Sequence, residues 1–327
     1  MIKPRRLLAV VLAMISLWFC PAATGRAQGA ASTSSSIQPF LGRWDMTITA
    51  PSGEAPSWLD LYEQGGVLKA RMTGRWGSAR SLPQVSVSKG VLSFVDPKQA
   101  EASKTDLIFH ATLKGDRLVG AAKGPNGIPW TWVAERAPSL VRSGTPHWGA
   151  PISLFNSKNL DGWHEFKSSY FPLAGHWTVA DGALVSPGLG PELVSDRKFQ
   201  DFKLHLEFKS GPVSNSGIYL RGRYELQIEN DSAAEPSSHH TGAIYGLIAP
   251  HPELPRVTGK WRTYDITLVG RRVTVVLDGV TVSDNQEIDG ITGGALDSHE
   301  AEPGPIYLQG SEKGHVEFRN IVIRPAE

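Results

Sequence analysis

Hydrophobic and polar residues alternate along much of the chain from Phe40 onward, in short stretches separated by turn signals. A period of two places one face of a strand in a core and the other in solvent. In the first half the pattern predicts eight strands, at residues 44–50, 59–64, 67–73, 84–87, 91–95, 107–113, 117–122 and 130–136. Because short turns such as Gly65-Gly66 connect them, a small antiparallel meander is expected, closed or nearly closed into a barrel.

Longer alternating strands follow after residue 150. Phe and Leu at 202, 204, 206 and 208 alternate with polar residues, and similar runs lie within 215–229, 261–277, 304–309 and 316–323. This half predicts an all-β sandwich in which each strand buries one face. Residues 280–304 carry little strand signal and are expected to form a long surface loop.

The first 27 residues have the three parts of an export signal. A basic stretch at 2–6 precedes an apolar run at 7–20, and Gly25 and Ala27 are small residues around a cleavage site. An uncleaved anchor is disfavoured because a membrane span needs about 20 apolar residues. A lipoprotein acylated at Cys20 is disfavoured because Phe19 stands where a small residue is needed. The protein is therefore expected to be exported, periplasmic or secreted, without a stable membrane span after cleavage.

The remaining chain divides by composition into a flexible lead-in at 28–37, a barrel domain at 38–137, a linker at 138–150 and a sandwich domain at 151–327. A length of 327 residues fits two domains, and the net charge of +1 argues against a nucleic-acid partner. Cys20 is the only cysteine, so the exported part offers no thiol catalysis or thiolate metal site. The sequence also contains no phosphate loop, dinucleotide fingerprint or serine nucleophile elbow.

Polar residues with acid–base chemistry cluster on three predicted strands. Alternation points Glu225, Gln227 and Glu229 to one face, Tyr219 and Arg221 to one face of the preceding strand, and His205 and Glu207 to one face of the strand before that. If these strands are neighbours, one sheet face carries at least three carboxylates beside Arg and Gln. Two close carboxylates can divide the roles of acid and base. A solvated outer face is the alternative.

Two further groups of residues are candidates for ligand binding. Trp163, Trp177 and Trp261 could stack on a sugar ring, although core packing is the more frequent role. His239 and His240, with nearby Glu residues, are weak candidates for a divalent metal, because no fixed ligand spacing accompanies them.

Eight segments of the second half, in order, resemble the 3-keto-disaccharide hydrolase family. They are LFNSKNLDGWHEF (154–166), HWTVADGALV (176–185), DFKLHLEFK (201–209), NSGIYLRGRYELQI (215–228), TGAIYG (241–246), KWRTYDI (260–266), PGPIYLQG (303–310) and VEFRNIVIRP (316–325). The resemblance covers nearly all of 151–327 and none of 35–140. It implies a concanavalin A/laminin-G-like jelly roll from exported carbohydrate-degrading systems.

The resemblance also implies cleavage of glycosides whose sugar is oxidised at C3. It gives Glu225 or Glu207 the role of base and gives Arg221, or a divalent metal, the role of holding the enolate oxygen. Further substrate-binding candidates are Gln227, Tyr245, Asn215, Gln309, Glu229 and His205. The expected partner is an oligosaccharide or glycoside, without a nucleotide and with no cofactor beyond a divalent metal.

One motif departs from the family. Relatives read Leu-Gln-x-His-Gly, whereas this chain reads LQGSEKGHV, which displaces the histidine to His315. A non-catalytic, lectin-like carbohydrate-binding protein is therefore the alternative function, since jelly rolls serve both roles.

Overall fold

The computed structural model describes residues 37–74, 77–98, 104–166, 175–229, 234–310 and 313–327. Their regular structure is almost all β strand, with short 3-10 helices at Gln38–Phe40, Pro125–Gly127 and Ser237–His239. The predicted signal lies outside the described residues. Within them, no helix is long and apolar enough to cross a membrane.

The first half forms one antiparallel sheet of nine strands. In chain order these are β1 (Gly42–Ala50), β2 (Gly53–Gln64), β3 (Val67–Thr73), β4 (Arg80–Ser81), β5 (Gln84–Ser88), β6 (Val91–Asp96), β7 (Leu107–Lys114), β8 (Arg117–Lys123) and β9 (Pro129–Arg136). Their spatial order is β4-β3-β2-β1-β9-β8-β7-β6-β5, and the sheet curls so that β5 approaches β3. The predicted barrel-like meander is therefore confirmed, and it encloses its own core around Trp44, Phe94 and Trp132.

The second half forms two sheets that pack face to face. Its strands are β10 (Ile152–Ser153), β11 (Trp163–Phe166), β12 (Thr178–Ala180), β13 (Ala183–Ser186), β14 (Glu192–Phe199), β15 (Phe202–Ser210), β16 (Asn215–Leu220), β17 (Tyr224–Glu229), β18 (Arg262–Val269), β19 (Arg272–Leu277), β20 (Val280–Glu287), β21 (Gly304–Leu308) and β22 (Val316–Pro325). One sheet runs β12-β13-β22-β15-β18-β19-β20, with β10 beside β22. The other runs β11-β14-β21-β16-β17, so the predicted jelly-roll sandwich is confirmed.

Alternation explains the sandwich core. Phe202, Leu204, Leu206 and Phe208 of β15 are buried in the same cluster as residues of β16, β17 and β21. Their polar neighbours on β15 face away from that core. Between β15 and β16 the chain passes from one sheet to the other within residues 211–214.

The expectation of a surface loop at 280–304 is wrong. Residues 280–287 form β20, and Ile288, Ile291 and Thr292 are buried. We call residues 288–300 the bridging segment. The nine-stranded sheet of the first half packs against this segment. The local sequence pattern does not reveal such a long-range contact.

Candidate functional site

The five-stranded sheet has one face in the sandwich core and a second, polar face. Leu226 and Ile228 of β17 belong to the core, so alternation turns Glu225, Gln227 and Glu229 to the opposite face. Despite their polarity, Glu225 is 4% exposed and Gln227 is 1% exposed. Buried polar side chains that share one face are more typical of a binding surface than of a solvated outer face.

Strand pairing arranges this face in two rows. Val194 pairs with Tyr307, Tyr307 with Tyr219, and Tyr219 with Glu225. The second row comprises Glu192, Gln309, Gly217 and Gln227. We call these eight residues the site face. Two tyrosines lie side by side in the first row, and the rings of Tyr219 and Tyr307 stack with centroids 4.2 Å apart.

Glu225 is held in place from several directions. Tyr219 Oη donates to Glu225 Oε2 at 2.9 Å, and the Glu225 N–H donates to Thr292 Oγ1 at 3.0 Å. A Cβ atom built on Gly217 would lie 2.6 Å from Glu225 Oε1, so the carboxyl group occupies the space that the glycine leaves. Burial, followed by the charge of Glu225, raises the pKa of Tyr219 well above its usual value. The phenol therefore stays protonated and remains a hydrogen-bond donor.

The second row offers amides and a further carboxylate. Glu192 Oε2 accepts a hydrogen bond from the Gly310 N–H at 2.7 Å, and Gln227 Oε1 accepts one from the Ile228 N–H at 2.9 Å. Gln309 Oε1 is buried and has no hydrogen-bond partner among the described residues. A buried acceptor in this state favours a ligand hydroxyl or an ordered water.

Asn215 and Glu229 continue the site face toward one end of their strands. They pair directly across β16 and β17, and Thr241 Oγ1 donates to the Glu229 carbonyl oxygen at 2.7 Å. The two side chains therefore extend the polar face beyond Gln227.

The segment 241–246 runs beside β17 and adds Tyr245 to this region. Ile244 pairs with Leu226, and the Tyr245 N–H donates to the Glu225 carbonyl oxygen at 3.0 Å. Tyr245 lies in the turn that follows this isolated bridge, so its backbone hydrogen bond, rather than strand alternation, places it beside Glu225. The His239 ring stacks on Tyr245 with centroids 4.6 Å apart.

Glu207 and His205 do not share a face with Glu225, so that expectation is wrong. Both lie on β15, whose neighbours are β18 and β22 in the eight-stranded sheet, and they face away from the sandwich core. Burial opposes ionisation of Glu207, but hydrogen bonds from Asn320 and Arg319 outweigh it and lower the pKa of Glu207. His205 Nδ1 lies 2.8 Å from Asp265 Oδ1. Neither side chain reaches the site face, because the core separates the two sheets.

Arg221 also lies apart from Glu225. It has a positive φ of 55° at the turn after β16, which removes its side chain from the alternation of the strand. Its guanidinium donates to the Gly270 carbonyl oxygen at 2.7 Å and to Tyr224 Oη at 3.0 Å, on the core side of the sheet. The fully buried Arg221 therefore belongs to a different polar cluster.

This second cluster contains Tyr224, Arg271 and Glu300 as well as Arg221. Tyr224 Oη donates to Glu300 Oε1 at 2.5 Å, and Arg271 Nη2 lies 2.5 Å from Glu300 Oε2. Asp45 of β1 hydrogen-bonds to Glu300, and burial, followed by the charge of Glu300, raises the pKa of Asp45 to about 8. One carboxyl of this pair therefore holds a proton near neutral pH. Because Asp45 belongs to the first half and Glu300 to the second, the cluster also joins the two halves of the chain.

The histidine pair does not form a metal site with the described residues. His239 Nδ1 lies 3.0 Å from Glu235 Oε2, whereas His240 Nδ1 lies 3.0 Å from Glu253 Oε2. No group of three or more His, Cys, Asp or Glu side chains in the described part of the chain has a geometry that could hold a metal ion.

The three tryptophans that are candidates for stacking on a sugar ring lie away from the site face. Trp163 and Trp177 are buried in the sandwich core. The guanidinium of Arg319 stacks over Trp261, with Arg319 Cζ 3.9 Å from the centroid of the indole ring. The displaced His315 has its Nε2 3.7 Å from Glu317 Oε1, at the start of β22.

Sequence reasoning missed Glu192, Tyr307 and two residues of the first half, Ser78 and Trp58. Tyr307 alternates with Ile306 and Leu308 and could have been found from that pattern. Glu192 was missed because β14 was not predicted. Ser78 contacts His239, and Trp58 contacts the bridging segment, over sequence distances that local patterns do not reveal.

The second half of the chain is similar to a known protein family. A family model described as a 3-keto-alpha-glucoside-1,2-lyase-like domain matches residues 150–324. A 3-keto-disaccharide hydrolase from Bacteroides thetaiotaomicron is 30% identical over 145 residues, a match that covers 34% of this chain and 49% of the relative. The chain thus spans about half the length of this curated relative.

Two solved structures from Parabacteroides distasonis ATCC 8503 are also similar, and their assignment as glycosyl hydrolases is provisional. One is 26% identical with a TM-score of 0.45, and the match covers 62% of this chain and 99% of that one. The other is 19% identical with a TM-score of 0.44, and the match covers 54% and 94%.

Proposed function

The chain belongs to the 3-keto-alpha-glucoside-1,2-lyase-like domain family, and from this premise we propose that it cleaves glycosides whose sugar carries a ketone at C3. The observation that carries the proposal is the Glu225 carboxylate, buried on a polar face and fixed over Gly217 by the Tyr219 hydroxyl. The name of the Bacteroides relative supports the same substrate class.

The proposed chemistry begins with a base. A ketone at C3 acidifies the hydrogen on C2, and Glu225 removes that hydrogen as a proton. The electron pair of the C2–H bond forms the C1–C2 double bond as the C1–O bond breaks, and the proton that Glu225 has removed passes to the leaving oxygen, directly or through water. Addition of water across the resulting enone gives net hydrolysis.

Five other polar residues, on the site face or beside it, are assigned to binding. Gln227, Gln309 and Tyr245 hydrogen-bond to substrate hydroxyls, and Gln309 Oε1 is the acceptor whose buried position most needs such a donor. Asn215 and Glu229 contact the part of the substrate further along the strands. Arg221 receives no role in this proposal, because its guanidinium bonds on the core side of the sheet.

A lectin-like function is the second candidate, and the position of His315 favours it. That ring pairs with Glu317 rather than with a site-face residue. A protein that binds sugar without cleaving it would use the same amides but would not depend on ionised Glu225.

We also propose export, on the basis of the signal-like residues 2–27. Intact-mass analysis of protein recovered from the periplasm and medium tests this. A mature chain beginning at Gln28 supports export, and a full-length cytoplasmic chain contradicts it.

The decisive experiment uses residues 28–327 with a 3-keto-disaccharide and with its unoxidised parent, each with and without EDTA. Sugar release from the keto form alone supports the proposed reaction. Saturable binding without release from either compound supports the lectin-like function. Loss of release with EDTA would require a metal site that the described residues do not form.

A further inference from the structure

The outer face of the barrel strands β1–β3 packs against the bridging segment of the sandwich. Arg43 of β1 and Arg71 of β3 both donate to Asp289, at 3.1 Å and 2.9 Å. Thr47 Oγ1 lies 2.9 Å from Ser298 Oγ. Alternate residues of neighbouring strands thus form a continuous polar contact with one segment of the second half.

Trp58 of β2 lies at the centre of this contact. It is 2% exposed and belongs to the core cluster of the sandwich rather than to that of the barrel. Its Nε1–H donates to the Ile291 carbonyl oxygen at 2.8 Å. A Cβ atom on Gly290 would lie 2.7 Å from the indole, so the backbone of the bridging segment is packed directly on the ring.

The residues that follow Ile291 in the chain contact the site face. Thr292 Oγ1 accepts from the Glu225 N–H, and the Gly293 carbonyl oxygen lies 2.9 Å from Tyr219 Oη, so it is a second acceptor beside Glu225 for the single phenol proton. A continuous set of bonded neighbours therefore leads from a barrel tryptophan to the carboxylate that carries the proposed function.

A second contact reaches the opposite border of the site. Ser78, in the connection between β3 and β4, hydrogen-bonds to His239 Nε2. The His239 ring stacks on Tyr245. A Cβ atom on Gly246 would lie 2.7 Å from the backbone of Ser78, so the two segments are in close contact.

We propose that the barrel is a positioning part of the active site and acts through two residues: Trp58 fixes the bridging segment beneath Glu225 and Tyr219, and Ser78 fixes His239 against Tyr245. This inference rests on the proposed function. It gives the first half of the chain a defined role in the reaction of the second half. Misplacement of a catalytic group by about 1 Å can cost as much as a hundredfold in rate.

The test compares two tryptophan variants of the mature chain. Trp58→Phe removes the N–H that bonds to Ile291, while Trp44→Phe removes an equivalent buried N–H that bonds to the Phe40 carbonyl oxygen at the same 2.8 Å within the barrel. On a 3-keto-disaccharide we expect Trp58→Phe to lower kcat about tenfold with little change in KM. Trp44→Phe is expected to leave kcat within about twofold even where Tm falls equally.

A serine pair repeats the comparison at the other contact. Ser78→Ala removes the bond to His239, and Ser93→Ala removes a bond to His110 Nδ1 on the barrel surface. We expect Ser78→Ala to change kcat or KM about threefold to tenfold and Ser93→Ala to change neither. Equal kinetics within each pair would overturn the proposal.

Hydrogen–deuterium exchange separates this inference from the proposed function. If the wild-type chain cleaves no keto-sugar, the proposed function fails, but the positioning can still be measured. Trp58→Phe should then accelerate amide exchange in 290–296 and at Glu225, and Trp44→Phe should not. Unchanged exchange in those residues in the Trp58 variant would overturn the positioning role.

Discussion

Glu225 and Glu207 have similar local sequence patterns but different environments in the sandwich. Each alternates with apolar residues along its strand, which is β15 in the middle of one sheet for Glu207 and β17 at the edge of the other for Glu225. Glu207 lies on the outer face of the eight-stranded sheet, where Arg319 Nε and Asn320 Nδ2 donate to its two oxygens at 2.7 Å and 2.5 Å. Glu225 lies on the polar face of the five-stranded sheet and bonds to a neutral phenol.

The difference shows what a carboxylate needs in order to act as a base. A guanidinium neighbour stabilises the ionised form of Glu207 and lowers its affinity for a proton. Glu225 is 4% exposed, and Tyr219 Oη donates to its Oε2 at 2.9 Å. Glu225, unlike Glu207, lies on the face that also carries Gln227 and Gln309, and this is why we propose Glu225 as the base.

The largest expected effect distinguishes these two glutamates directly. Glu225→Gln removes the proposed base and should lower kcat/KM on a 3-keto-disaccharide by about a thousandfold. Glu207→Gln makes the same chemical change on the other sheet and should alter kcat/KM by less than about threefold. Steady-state kinetics of both variants measure this, and equal losses would contradict the assignment of Glu225.

Gly217→Ala should displace Glu225 without removing it. The new methyl group would lie 2.6 Å from Oε1, so the carboxyl group must move, and we expect kcat to fall about 30-fold to 100-fold. Combining Gly217→Ala with Glu225→Gln should add little further loss, because the displaced carboxyl is then already absent. Fully additive losses would show that the glycine acts elsewhere.

Tyr219→Phe should remove the donor that orients Glu225. The tyrosine is protonated throughout the assay range because its pKa is raised. Without it we expect kcat/KM to fall about tenfold and the acidic limb of the pH–rate profile to move to higher pH, since the ionised carboxylate loses a hydrogen bond. Tyr264→Phe, which removes a bond to the Gln227 carbonyl oxygen, is the matched control and should leave the limb in place.

The smallest effect concerns a third carboxyl environment, the Asp45–Glu300 pair. The pKa of Asp45 is raised to about 8, so its protonated form stabilises the fold fully below about pH 4, and this stabilisation is lost as pH rises to about 8. The pKa of Glu300 is lowered by Arg271, by Tyr224 and by Asp45 despite burial, so its own stabilisation is lost only as pH falls.

Asp45→Asn tests this pair because an amide stays neutral and can still donate to Glu300. Its Tm should exceed that of the wild type by about 2–4 °C above pH 8, and the difference should shrink toward pH 5. Thermal unfolding at several pH values measures the trend. A constant difference across that range would contradict the raised pKa.

Much of the fold could be predicted from the period-two pattern. All eight strands predicted in the barrel are present, because each buries alternate side chains in a local hairpin arrangement. The family resemblance is confirmed by the match over residues 150–324. The common face of Glu225, Gln227 and Glu229 follows from alternation within one strand.

The rest of the site depends on information that alternation does not contain. Periodicity assigns a face to Glu207 but not a sheet, and the chain changes sheets within residues 211–214. Arg221 leaves its expected face because its backbone turns with positive φ. Trp58 and Ser78 reach the second half through tertiary contacts, so their relation to Glu225 is visible only once the fold is known.

The burial of Trp58 also limits how this architecture can be shared or recombined. A sandwich that is transferred without β1–β3 would lose Trp58, a core side chain that the barrel supplies, and would expose the apolar surface that the indole covers. Shuffled chimaeras should therefore inherit the barrel and the sandwich as one cassette, with Trp58 exchanged together with Gly290. A partner domain that only tethers the sandwich would not replace the barrel.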